Sequence, residues 1–168
     1  MSIFRKTTIQ DVNQVMEIIE RAKAYLKSNG VDQWQNGYPN VDVIKEDIAS
    51  GYGYVLECGD GIAGTIALSF DGEPYYDVIY DGEWLSTGDF LVIHRLAVSN
   101  GARGTDLASK IMRQVEQLCV SHGIGSIKID THEENVVMQK FVEKNGFTRC
   151  GKVILGSEGE RVAFEKLL

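Results

Sequence analysis

The stretch DFLVIHRLAV, residues 89–98, constrains the fold of this chain more than any other segment. Its apolar residues would fall on both faces of a strand, which is typical of a strand in the interior of a sheet. A loop that contains glycine comes next, and a helical pattern then runs from Leu107 to Leu118, before Gly123. The segment SIKID, residues 126–130, predicts a second buried strand. The middle of the chain therefore predicts a strand, a helix and a strand in succession.

Further helices and strands are predicted on either side of this centre. Thr8 and Asp11 have the spacing of a capping box, the helix that follows can end at Gly30, and Asn40 can cap a second helix over 41–50. Strands are predicted at 2–7, 52–58, 62–70, 147–155 and 161–168, and one more helix at 133–145. Because hairpins flank an alternating centre, we expect an α/β fold (mixed α+β) with a mixed sheet and helices on both of its faces.

The composition is that of a soluble globular protein. Of 168 residues, 43% are hydrophobic and 24% are charged, and the formal net charge is −7. This balance argues against nonspecific binding to nucleic acid or to an anionic membrane, and no apolar run reaches the length of about 18 residues that a membrane span needs. Cys58, Cys119 and Cys150 lack metal-ligand spacing and predict reduced thiols in the cytoplasm. We expect one domain over residues 1–168, without a metal.

The segment VSNGARGTDLASKI, residues 98–111, has the pattern of a strand end, a glycine-bearing loop and a helix start. Such a junction often binds phosphate, because free backbone N–H groups and the positive end of the helix dipole face the loop. Asp106, however, places a carboxylate where the anion would lie. Either the loop binds phosphate less tightly, or Thr105 or Asp106 caps the helix with its side-chain oxygen.

Four segments in this order resemble the GNAT-type N-acetyltransferases over essentially the full chain. They are HRLAV at 94–98, ARGTDLASKIM at 102–112, IDTHEENVVMQKFVEKNGF at 129–147 and ERVAFEKL at 160–167. The resemblance implies a GNAT-like domain with a central, mostly antiparallel sheet of about six to seven strands. It also implies that acetyl-CoA donates an acetyl group to a primary amine of a small molecule, by direct attack in a ternary complex.

The resemblance further implies where acetyl-CoA binds. Backbone groups of Leu96 and Val98 would bind pantetheine in a gap between HRLAV and SIKID, and the Leu96 N–H would polarise the thioester carbonyl. The other positions that match the cofactor-binding pattern are Arg103, Gly104, Thr105, Asp106 and Asn135. Gly101 and Asp106 depart from the usual loop residues, and Asn135 also fits a residue that caps a helix.

Two histidines are candidates for the base that takes the proton of the acceptor ammonium. Some family members carry a catalytic histidine at the position of His94, and an imidazole with a pKa of about 6.5 suits that role. His132 is the second candidate, and a purely structural role is the alternative for both. The tyrosine that often acts as general acid in the family is replaced here by Val142, which fits a core position.

Two segments are candidates for the acceptor site. VDQWQNGYPN, residues 31–40, contains Trp34 and Tyr38, which either border the substrate or close the edge of the core. DGEPYYDVIYDGEWLSTGD, residues 71–89, combines acidic residues with Tyr80 and Trp84. Acidic groups and aromatic faces together suit a cationic amine. A solvated loop, or a contact in a homodimer, is the alternative for this segment.

Two noncatalytic functions are alternatives to acetyl transfer for this chain. The departures at Gly101, Asp106 and Val142 favour a noncatalytic acyl-CoA-binding module. The aromatic segment favours a structural protein that binds other proteins. Turnover of acetyl-CoA with an amine distinguishes an enzyme from the first alternative, and a failure to bind CoA would favour the second.

Overall fold

The computed structural model describes residues 1–99 and 106–168, and in these two ranges the chain forms seven strands and four α-helices. The strands are β1 Ser2–Lys6, β2 Gly53–Cys58, β3 Gly61–Ser69, β4 Leu91–Val98, β5 Ser126–Thr131, β6 Thr148–Ile154 and β7 Glu160–Leu167. The helices are α1 Val12–Ser28, α2 Val41–Ser50, α3 Leu107–Ser121 and α4 Val136–Lys144. None of the described helices combines the length and the apolar character that crossing a bilayer requires.

The strands belong to one mixed sheet in the order β1-β2-β3-β4-β5-β7-β6. The pairs β1–β2, β2–β3, β5–β7 and β6–β7 are antiparallel. Strands β4 and β5 run parallel, and Leu91, Val92 and Ile93 of β4 pair with β5. The predicted mixed, mostly antiparallel sheet of an α/β fold is therefore confirmed.

One compact unit comprises Met1–Leu68 and His94–Gln114. Its core joins the apolar faces of α1 and α2 to β2 and β4, through residues such as Val15, Ile44 and Val55. The predicted capping box begins this unit's first helical segment, because Thr8 N donates to Asp11 Oδ2 at 2.7 Å.

The start of α2 also follows the sequence prediction. Asn40 Oδ1 accepts a hydrogen bond from Val43 N at 3.0 Å, as the residue that caps a helix does. Polar side chains at the predicted positions therefore satisfy backbone N–H groups at the helical turn that leads into α1 and at the start of α2.

The other compact unit comprises Ser69–Ile93 and Val115–Leu168. Within it, the segment 71–89 lies against β6. Tyr80 and Lys152 exchange two backbone hydrogen bonds of 2.8 Å. A Cβ atom at Gly82 would lie 1.9 Å from the backbone oxygen of Cys150, so only glycine allows this approach.

A buried carboxylate further fixes the segment 71–89. Glu165 of β7 is 0% exposed. It accepts hydrogen bonds from Leu85 N at 2.7 Å, from Ser126 Oγ at 2.7 Å and from Ser86 Oγ. These donors compensate for the burial of a charged group, and two of them tie residues 85–86 to the sheet.

Candidate active site

The second half of β4 carries the residues that the sequence places at the thioester. His94 and Arg95 are half-buried, whereas the side chain of Leu96 is buried. Arg95 has a φ of 53°. This left-handed conformation is uncommon for a residue with a side chain, and within a strand it indicates a bulge.

The backbone direction after the bulge fits a ligand-binding role. Ser99 N donates to the Ala63 carbonyl of β3 at 2.8 Å. Hydrogen-bonding groups alternate between the two sides of a strand, so the backbone groups of Leu96 and Val98 point away from β3. These are the groups that the family resemblance assigns to pantetheine.

His94 differs in one respect from the sequence prediction. Burial, together with the charge of neighbouring Arg95, lowers its pKa from 6.5 to about 4. We therefore expect His94 to gain its proton at a lower pH than the ordinary imidazole pKa predicts. At neutral pH the imidazole carries no charge, and it binds a proton more weakly than an ordinary histidine does.

Arg95 forms a two-bond contact with a carboxylate and a third hydrogen bond with a tyrosine. Its Nε and Nη2 donate to the two carboxylate oxygens of Asp47, at 2.8 and 2.6 Å. Its Nη1 donates to the hydroxyl of Tyr38 at 2.7 Å. The predicted substrate residue Tyr38 is thus bound to a residue of β4.

Trp34, the second aromatic residue of the 31–40 segment, packs at the edge of the core formed by α1, α2 and β2. This is the position that the core-edge alternative described. Asp47 was not predicted as a site residue. The sequence indicates it only by spacing, because Asp47 follows Ile44 by three positions and so falls on the buried face of α2.

Asn135 and His132 shape the start of α4. Asn135 Oδ1 accepts from Met138 N at 3.1 Å, so its capping role is confirmed. His132 Nδ1 accepts from Glu134 N at 3.0 Å. The helix begins at Val136, three residues later than predicted, because the residues before Asn135 form a turn that this histidine supports.

The glycine-bearing loop is described only at its last residue. The predicted residues Arg103, Gly104 and Thr105 lie outside the described ranges, as does Gly101. Asp106 is exposed, and its Oδ2 accepts from Arg113 Nη2 at 3.0 Å. An arginine therefore partly balances the charge that would repel a phosphate.

The aromatic residues of the segment 71–89 have different environments. The side chain of Tyr80 is exposed. Trp84 Nε1 donates to the Tyr76 carbonyl at 2.9 Å, and the Trp84 ring packs in the core of its unit. The Lys128 ammonium lies 4.2 Å from the centre of that ring and 3.9 Å from that of Phe90. A lysine of the protein itself thus lies against the ring that was predicted to receive a substrate amine.

The remaining predictions concern buried residues. Val142 is 0% exposed and Cys150 is buried, as expected for core positions. Sequence reasoning did not identify the contact between Tyr76 and Asp130, whose hydroxyl and carboxylate oxygens are 2.5 Å apart. Burial raises the pKa of Asp130 to about 6.

Comparisons with known proteins agree with this fold. The family described as the acetyltransferase (GNAT) family matches residues 14–147. A crystal structure of a GNAT-family acetyltransferase from Streptococcus agalactiae 2603 is 36% identical, with a TM-score of 0.90, over 99% of this chain and 95% of that one.

Two more distant structures are similar in fold. A GNAT-family acetyltransferase from Listeria monocytogenes 4b F2365 is 22% identical, with a TM-score of 0.76, over 99% of this chain and 95% of that one. The PaiA N-acetyltransferase of Thermoplasma acidophilum, solved in complex with coenzyme A, is 15% identical, with a TM-score of 0.75, over 100% and 99% of the two chains. The family match and the Streptococcus structure, which has the same fold along almost its whole length, show that this chain belongs to the GNAT family of acetyltransferases.

Proposed function

We propose that this acetyltransferase uses acetyl-CoA to acetylate a primary amine of a small molecule, by direct attack. The observation that carries the proposal is the arrangement along β4. A neutral imidazole at His94 is followed by a bulge, and the bulge is followed by backbone groups of Leu96 that point away from β3. A proton acceptor and a hydrogen-bond donor to the carbonyl oxygen are the two groups that aminolysis of a thioester requires.

The chemistry follows from these groups. Bound acetyl-CoA supplies an acetyl group activated as a thioester. A primary amine with a pKa of about 10.4 is an ammonium at neutral pH, so His94 accepts its proton and leaves the nitrogen lone pair free to attack the carbonyl carbon. The Leu96 N–H stabilises the charge that develops on the oxygen, the nitrogen releases its second proton to water as the amide forms, and the carbon–sulfur bond breaks. Since Val142 is buried at the position of the family's tyrosine, we assign protonation of the leaving thiolate to water.

We further propose that residues 1–168 act as a single domain in the cytoplasm. All three cysteines are free thiols. Cys119 and Cys150 are buried, and Cys58 is half-buried. Reduced thiols are typical of that compartment. Disulfide formation by the protein isolated from its native compartment would contradict this location.

Acetyl-CoA is expected to raise the melting temperature of the protein. A ligand that binds only the native state stabilises it by about 2.7 kcal/mol at 100 times its dissociation constant. Asp106→Asn should increase the shift, because it removes a negative charge beside the predicted phosphate site. Asp42→Asn, in the first turn of α2, removes an equivalent exposed charge and should leave the shift unchanged. An absence of any shift at millimolar acetyl-CoA would contradict the proposed cosubstrate.

The acceptor is expected to be cationic, because the segment 71–89 concentrates exposed carboxylates. Neutralising Asp77, Asp81 and Glu83 to Asn or Gln should raise the KM for the amine and weaken its dependence on salt. The KM for acetyl-CoA should hardly change. Because the Debye length is about 8 Å at physiological ionic strength, only carboxylates near the bound amine contribute.

The control for this triple variant changes the same net charge elsewhere. Asp42, Glu46 and Asp60 are exposed carboxylates of the other compact unit, and their neutralisation should leave the amine KM unchanged. Equal effects of the two triple variants would mean that only net charge matters. Better turnover of neutral aromatic amines than of diamines would contradict a cationic acceptor.

A further inference from the structure

We propose that Asp47 and Tyr38 are positioning residues for acetyl transfer, which hold Arg95 in the backbone conformation that directs the Leu96 N–H. The inference rests on the proposed function, because that function assigns the Leu96 N–H to the thioester carbonyl. Neither Asp47 nor Tyr38 needs to touch a substrate for this role. They act through the Arg95 side chain.

The Arg95 guanidinium is bound on all three of its nitrogen atoms. Asp47 accepts from Nε and Nη2, and Tyr38 accepts from Nη1, at distances between 2.6 and 2.8 Å. The side chains of Arg95 and Asp47 are only 14% and 9% exposed. A bidentate contact of this kind fixes the guanidinium plane, and its burial protects it from screening by salt.

The backbone of Arg95 needs such an anchor. Its φ of 53° is a conformation that glycine adopts easily and that arginine adopts at an energetic cost. Such a conformation persists where surrounding contacts hold it in place. In the described part of the chain, these contacts come from α2, through Asp47, and from the loop before it, through Tyr38.

The conformation of Arg95 decides where the next N–H points. The Leu96 N–H belongs to the peptide group that joins it to Arg95, so the Arg95 dihedral angles orient that group. Residue 99 is hydrogen-bonded to β3, which fixes the far end of this segment. Release of the guanidinium would allow the Arg95–Leu96 peptide group to rotate between Arg95 and the fixed backbone of residue 99. The Leu96 N–H would then miss the carbonyl oxygen of the thioester.

The test compares Asp47→Asn with a matched variant of another ion pair. Arg5 and Asp11 form the same bidentate contact, at 2.8 and 3.0 Å, but Arg5 lies on β1. Asp11→Asn therefore weakens a partly buried pair of the same unit without touching β4. All variants are assayed well below their melting temperatures, so that the folded enzyme is measured.

Asp47→Asn should lower kcat by about 10- to 100-fold, because loss of a single oxyanion donor costs about 10²- to 10³-fold and misdirection costs less. The KM for acetyl-CoA should change by less than about threefold, since the lost interaction acts mainly in the transition state. Tyr38→Phe leaves the ion pair intact and should lower kcat by only about threefold. Asp11→Asn should lower the melting temperature and leave kcat unchanged.

Two further measurements separate positioning from a merely structural role. The double variant Asp47→Ala with Arg95→Gly should retain a higher kcat than Asp47→Ala with Arg95→Ala, because glycine adopts the left-handed conformation without an anchor. The infrared carbonyl stretch of ¹³C-labelled acetyl-CoA should be lowered on binding to the wild-type protein. It should return towards its value in solution in Asp47→Asn but not in Asp11→Asn.

The outcomes distinguish this inference from the proposed function. A wild-type protein that binds no acetyl-CoA would overturn both. A wild-type protein that acetylates amines, with equal kcat values and carbonyl frequencies in Asp47→Asn and Asp11→Asn, would overturn the positioning role alone. A lower kcat in Asp47→Asn together with equal activity of the two double variants would also overturn it, because the effect would then not pass through the Arg95 backbone.

Discussion

His94→Gln is expected to lower kcat by about 100-fold or more while leaving the affinity for acetyl-CoA nearly unchanged. Glutamine has a similar size and keeps a polar end, but it cannot accept a proton at neutral pH. The remaining rate would come from proton transfer to water and from the Leu96 N–H. The measurement is kcat at saturating amine, with acetyl-CoA affinity determined separately by calorimetry.

The pH dependence of kcat gives a second readout of the same residue. Burial and the Arg95 charge lower the pKa of His94 to about 4, so the imidazole should remain able to accept a proton well below its ordinary pKa of about 6.5. The wild-type kcat should fall only as the pH approaches about 4, provided that the fold persists. Because the unfolded state binds the proton more tightly than the folded state, His94 itself reduces stability as the pH falls from about 6.5 to about 4. Circular dichroism over this range separates loss of activity from unfolding.

The control for this variant is His122→Gln. His122 is exposed at the end of α3, where its Nδ1 lies 2.9 Å from the Leu118 carbonyl oxygen. Its replacement should leave kcat unchanged. A His94→Gln enzyme with near-normal kcat would contradict the assignment and would direct the search for the base to His132 or to water.

Glu165→Ala is expected to have the largest effect on stability, a loss of about 3–5 kcal/mol in the free energy of unfolding. The carboxylate is fully buried, and its removal leaves the Leu85 N–H and two serine hydroxyls without their acceptor. Lys128, opposite it on β5, also loses the nearby negative charge. Urea denaturation measures the loss, and tryptophan fluorescence reports any displacement of Trp84.

Glu160→Ala is the matched control on the same strand. Glu160 is exposed and lies 3.9 Å from Lys152, so its removal should cost less than about 1 kcal/mol. Adding Lys128→Met to Glu165→Ala should cost less than the sum of the two single changes, because a buried ammonium that has lost its nearby carboxylate is then removed. A Glu165→Ala protein as stable as Glu160→Ala would show that the buried carboxylate does not hold the segment 71–89.

The sequence predicts most of the fold because the fold depends on local patterns. The capping box at Thr8, the cap at Asn40 and the apolar run of β4 each determine an element within a few residues of themselves. Only the start of α4 moves by several residues. Residues 130–135 are all polar or charged and carry no periodic signal, and the position of Asn135 decides where the helix begins.

The site is less predictable because it depends on residues far apart in the chain. His94 and Leu96 follow from the family resemblance, but the contact of Arg95 with Asp47 joins positions 48 residues apart. No periodicity connects them. A charged residue within the apolar run LVIHRLAV and another on the buried stripe of α2 are the two signals, and each by itself has several explanations.

Lys128 is a second example of a long-range contact that the sequence does not predict, here with the segment 71–89. The segment 71–89 contains no lysine or arginine, so its sequence indicates a site for an external cation. The cation that lies over Trp84 comes instead from β5. Local composition indicates that a surface suits a cation. Only the tertiary fold shows whether a side chain of the protein itself already supplies that cation.

The strand order has a consequence for the folding kinetics. Strand β7 lies between β5 and β6. β6 and β7 are joined by a short turn at Gly156–Glu158, so this hairpin can form from local contacts. The pairing of β5 with β7 closes a much longer loop and is slower. The hairpin should therefore form first and dock onto β5 in the slower step, and Glu165 meets Lys128 in that step. Substitutions at this pair should then slow folding and leave the formation of the hairpin almost unchanged.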